Sequence, residues 1–109
     1  MRWKSVNLPA SYVVDNHVHE AEVVALNATV IELLTPYPAP AHQRRFEFNL
    51  PIERDGVWAP VRIIGSRMTG VSVVPIAQLE IPRLTIMIER VIEPAGFEGL
   101  YAQFVSDTT

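Results

Sequence analysis

The chain has 109 residues, 49% of them hydrophobic and 19% charged, with nine prolines, no cysteine and a net charge of −3. That length points to one domain with its own core, and so much apolar content with so little charge excludes intrinsic disorder. Without cysteine there is no disulfide framework, thiolate nucleophile or cysteine-based metal site, and the mildly acidic balance argues against broad nucleic-acid binding.

The N-terminal Met1-Arg2-Trp3-Lys4 is not followed by an apolar signal core, and no apolar run reaches the roughly 18 residues of a membrane span, so a cytoplasmic protein without a membrane partner is expected. The prolines, spread from Pro9 to Pro94, leave little room for long helices after residue 35. Fourteen valines and nine isoleucines favour pleated, half-buried surfaces. Short strands punctuated by proline-marked turns are the expectation. The fold class is all-β.

In chain order, residues 1–22 read as an N-terminal arm and first strand, and residues 23–109 as the body of the single domain. Glu20 and Glu22 alternate with Ala21 and Val23, and Asn27-Ala28 marks a turn or bulge, since Asn tolerates the left-handed region. Val30–Leu34 follows as a strand; a helix across Ala21–Leu34 competes, against the β-branched Val23, Val24, Thr29, Val30 and Ile31. Thr35–Ala41, with Pro36, Pro38 and Pro40, is an extended connection. Arg45, Glu47 and Asn49 alternate with Phe46, Phe48 and Leu50, the period of a strand with one buried face. Glu53-Arg54-Asp55-Gly56 is a hairpin turn leading into Val57–Ile64. Gly70–Val74 and Leu84–Glu89 are further strands. Pro94–Gly99 is a turn before a last strand, Leu100–Val105, whose Leu100, Ala102 and Phe104 share a face. Six or seven antiparallel strands at such spacing close most readily into a barrel, because an open sheet this apolar leaves adhesive edges.

With the strands placed, the stretch from Val23 onward resembles a PilZ domain, a small bacterial β-barrel that commonly senses cyclic di-GMP. The likeness runs through Ala25–Val30, Ile31–Pro36, Phe46–Pro51, the turn at Gly56, Val61–Gly65 and the closing Gly99–Val105. It fails where that family binds its ligand. In the D-x-S-x-x-G register stand Ala25, Asn27 and Val30, and residues 9–24 hold no Arg or Lys to form the R-x-x-x-R arm. The resemblance therefore implies a degenerate member that does not take cyclic di-GMP in the usual way. The function it implies is a non-enzymatic regulatory or protein-interaction module with no cofactor.

The residues offer other chemistry. His17 and His19 would share a strand face at about 6–7 Å, a usable spacing for two metal ligands, with His42 as a third. The string is similar to the His-x-His of cupin barrels, and a small metal- or ligand-binding barrel, possibly enzymatic, is the alternative function; a structural subunit of a larger assembly is another. Gly65–Gly70, with Ser66 and Arg67, reads as a polar loop able to cradle an anion. The carboxylate pairs Glu20 with Glu22 and Glu89 with Glu93 would serve acid–base work only if they line a cleft. Arg44-Arg45 beside Phe46 and Phe48 is offset by neighbouring acids. The segment Gly70–Pro82 differs in kind. Val71, Val73, Val74, Ile76, Leu79 and Ile81 are apolar on both alternating faces, more than a small barrel can bury. They are the candidate interface of a homo-oligomer or with another protein.

Overall fold

A computed structural model describes residues 3–36, 45–68 and 72–107. Seven strands run β1 (Lys4–Val14), β2 (His17–Leu26), β3 (Val30–Leu34), β4 (Arg45–Arg54), β5 (Val57–Arg67), β6 (Ser72–Ile76) and β7 (Leu79–Ile92), followed by one helix, α1 (Leu100–Ser106). Every pairing is antiparallel, in the order β3-β2-β1-β4-β5-β7-β6, and β3 also pairs with β7. That last pairing closes six strands into a barrel and leaves β6 outside the ring. The helix weighed for Ala21–Leu34 is β2 and β3, as the crowding of β-branched residues required.

The barrel interior is filled by its own side chains. Phe46, Phe48, Leu50 and Ile52 alternate inward along β4, opposite Ala59, Val61 and Ile63 of β5. Val23, Leu26, Ile31, Leu33, Leu84 and Ile86 complete the core from the other side. Each of these side chains larger than alanine contributes about 1.5–3 kcal/mol on burial, which is why the period-two pattern determines which face turns inward. At Gly65 the β5–β7 ladder shifts register, and a Cβ there would overlap the Met87 carbonyl oxygen and the Ile86 side chain.

Three tight turns share one device. Asp15-Asn16, Asp55-Gly56 and Ala77-Gln78 each place both central residues at positive φ, the primed geometry that matches strand twist. The turn at Asn27 works differently. Asn27 does not adopt a left-handed backbone; its buried side chain accepts hydrogen bonds from the backbone N–H groups of Thr29 and Val30, both at 2.9 Å.

The C-terminal expectation is corrected. Leu100–Val105 is α1, not a closing strand. The ring is already closed by β3 against β7, so no ladder is open to a further strand there. Gly99 turns the chain at φ 82°, and the Glu93 carboxylate accepts from the N–H groups of Gly99 and Tyr101 at 2.9 and 2.7 Å. The helix buries Leu100 and Tyr101 and is pinned from below by Lys4, whose ammonium donates to the Phe104 carbonyl at 2.7 Å and lies 4.0 Å from the Phe104 ring centre. This is the helix end of the barrel. The β1–β2 and β6–β7 turns project from the opposite, ribbon end.

The prolines also behave differently from simple punctuation. Pro9, Pro51, Pro60, Pro75 and Pro82 lie inside strands. Pro51 pairs with Pro60 across β4–β5, and the register that pairs Ser11 with Asn49 sets Pro9 level with Pro51. Counting outward from the two-residue turns, Pro9 and Ser11 on β1 and Asn49 and Pro51 on β4 all direct their main-chain polar groups into the β1–β4 seam. Two prolines facing each other there have no N–H to offer, so the ladder stops. Ser11 with Asn49 is the one registered pair of this seam among the described residues. It is the weakest stave contact of the ring.

Candidate functional site

The apolar segment singled out in the sequence forms a two-stranded ribbon. Among the described residues β6 hydrogen-bonds to β7 alone, from Ser72 with Arg83 to Ile76 with Leu79, and lies outside the closed ring. Ile76 and Leu79 face each other beside the Ala77-Gln78 turn and are 46% and 63% exposed. Ile81 is partly covered. The side chains of Val71, Val73 and Val74 lie outside the described residues, although the backbone of 72–74 is part of β6.

The free edge of β6 is chemically restricted. Alternation from the Ala77-Gln78 turn directs the polar groups of Val73 and Pro75 away from β7. Val73 offers a donor and an acceptor, Pro75 only an acceptor. A proline on an exposed edge is a common guard against indiscriminate strand pairing.

At the same end, Val13 and Val18 form an exposed cross-strand pair on the outer face of the β1–β2 hairpin. His17 and His19 occupy its other face, as their spacing predicts, beside Val14 and Tyr12. The His19 ring lies 5.5 Å from the Tyr12 ring, tilted by 37°. Tyr12 shares a 2.6 Å hydrogen bond with the Thr35 hydroxyl, and burial raises its phenol above its ordinary value, with that hydrogen bond opposing the shift. His42 lies outside the described residues. Among the described residues no three His, Asp or Glu side chains gather in a metal-ligating group.

The remaining motifs resolve into structural contacts. Gly65, Ser66 and Arg67 are the end of β5 rather than a loop, and the Ser66 hydroxyl donates to the Glu89 carboxylate. Glu89 is thus paired with Ser66 while Glu93 caps α1, two separate duties. Glu20 and Glu22 are exposed on the outer face of β2. Glu47 pairs with Arg62 across β4–β5, and Arg45 is exposed at the start of β4; Arg44 lies outside the described residues. Thr69 and Gly70 lie outside them also.

No family model, curated protein or solved structure matches the chain. Its chemistry has to be read from its own surface.

Beyond Ser11 and Asn49, β1 and β4 part toward the ribbon end and open a cleft of about 690 Å³. Its walls include Val13, Arg45, Glu47 and Arg62, over a floor of Tyr12 and Phe46. Periodicity places residues on faces, but it does not reveal which neighbouring strands fail to pair, so this cleft left no pattern to find. No helix among the described residues is long and apolar enough to cross a membrane.

Proposed function

We propose that this chain is a non-catalytic protein-interaction module, a PilZ-like barrel that has dropped the nucleotide-binding residues, and that it associates with a second copy through the β6–β7 ribbon. The observation that carries this reading is the exposed pair Ile76 and Leu79 at the tip of a ribbon lying outside a ring that is already closed and filled. Two leucine-sized side chains held side by side on a rigid turn are a compact apolar anchor of the kind found at interface centres. The Pro75 edge favours face-to-face packing of two ribbons over an open-ended strand ladder, and so a closed dimer over a fibre.

Sedimentation velocity at micromolar concentration tests this. The wild-type chain sediments as a dimer, and Leu79→Glu returns it to a monomer with an unchanged circular dichroism spectrum. A wild-type monomer across the same range contradicts the association. Cyclic di-GMP, titrated by calorimetry, is expected to give no saturable heat at micromolar ligand, since no arginine stands in residues 9–24. Saturable binding would overturn the degenerate-motif reading.

A further inference from the structure

Between β1 and β4 the ladder stops at Ser11 and Asn49, and the seam opens beyond them. Alternation from the Asp15-Asn16 turn makes Val13 the next residue after Pro9 and Ser11 to direct its N–H and C=O at β4. Alternation from the Asp55-Gly56 turn does the same for Arg45 and Glu47 on β4, beyond Asn49 and Pro51. Neither Val13 nor Glu47 has a registered partner across the seam. Instead the strands stand apart, and the cleft of about 690 Å³ between them is in the size range of ligand sites. Its walls carry main-chain donors and acceptors at strand spacing, which is the complement of another extended backbone.

Charge narrows the occupant. Glu47 and Arg62 neutralise each other on the outer wall. Arg45 is exposed and has no carboxylate partner among the described residues. Beneath the cleft Phe46 and Tyr12 are almost fully buried, so the apolar surface within reach is that of Val13 on the β1 wall. A strand seated there turns alternate side chains outward beside Val13 and Arg45.

We propose that the β1–β4 seam is a peptide-binding site, distinct from the ribbon, that takes an extended segment of alternating apolar and acidic residues as an added strand. The main chain bonds to β4 at Arg45 and Glu47, and the outward-facing acidic side chains meet the Arg45 guanidinium beside Val13.

The probe is a fluorescein-labelled hexapeptide of alternating valine and glutamate, followed by fluorescence polarisation on the full chain. A second peptide carries lysine in place of glutamate. Saturable binding of the first peptide is expected, at least about tenfold weaker for the second, with the preference reduced or reversed in Arg45→Glu. Arg45 is exposed, so that variant keeps the fold; Leu79→Glu, which disrupts only the ribbon, should bind as wild type does and separates this site from self-association. Amide hydrogen exchange supplies the location. The Val13 and Glu47 amides exchange rapidly in the free chain and slow when the glutamate peptide binds. Absence of binding, equal binding of both peptides, slow exchange at Val13 and Glu47 before peptide is added, or protection appearing at Val73 instead would each overturn the proposal.

Discussion

The phenol of Tyr101 donates to the main-chain carbonyl of Asn27 across 2.7 Å, tying the first turn of α1 to the β2–β3 turn some 74 residues earlier. Both residues are buried, so neither group has water as a substitute. Tyr101→Phe removes the donor and leaves that carbonyl unpaired, at an expected cost of about 1–3 kcal/mol. Thermal denaturation followed by circular dichroism should show a fall of about 4–8 °C for each kcal/mol lost. An unchanged midpoint would show that α1 is not anchored by this contact.

The same burial makes stability depend on alkaline pH. Desolvation raises both Tyr101 and Tyr12 above their ordinary value near 10, so the fold favours their protonated forms. Their contribution is complete below pH 10 and is lost as pH rises past the unfolded-state value toward the raised ones. Tyrosinate absorbance should therefore lag behind free tyrosine, and the denaturation midpoint should drop above pH 10. In Tyr101→Phe that drop is smaller.

Glu93 holds the start of α1 through two backbone N–H groups, those of Gly99 and Tyr101. Glu93→Ala should cost about 0.5–2 kcal/mol, as loss of a helix cap does, while Glu93→Gln retains an acceptor and loses less. Urea unfolding distinguishes them. Equal stability of all three proteins would mean the carboxylate does not cap the helix.

Gly65 sits where the β5–β7 ladder shifts, directly against the Met87 carbonyl oxygen. Gly65→Ala must displace backbone rather than a flexible side-chain tip, and a loss of about 1–3 kcal/mol is expected from the overpacking. A neutral effect in urea titration would place that close approach elsewhere.

Much of the barrel is legible from alternation alone. Phe46, Phe48 and Leu50 announce the inner face of β4, and Asp55-Gly56 announces its hairpin, because both rest on local periodicity and turn chemistry. Residues 1–22, read as an arm and first strand, hold all of β1 and the opening of β2; the Asp15-Asn16 hairpin between them has no glycine to mark it in the sequence. At the other terminus, Leu100, Tyr101, Phe104 and Val105 carry the i, i+1, i+4, i+5 spacing of a helical face. That signal competed with an alternation over the same few residues, and only the closed ring and the Glu93 cap decide between them. Pro9, Pro51, Pro60, Pro75 and Pro82 lie inside strands rather than at their boundaries. Their positions depend on which way each N points within the ladder, a property of pairing rather than of sequence. The ribbon was legible as excess apolar content; the cleft, which depends on two strands not pairing, was not.

The reading of the chain as an interaction module rests on the ribbon tip. Sedimentation velocity of the wild-type chain beside Leu79→Glu, over a micromolar concentration series, tests it most directly. A dimer for the wild type and a folded monomer for the variant is the predicted result. A wild-type monomer at every concentration, or a Leu79→Glu chain that still dimerises, would contradict it.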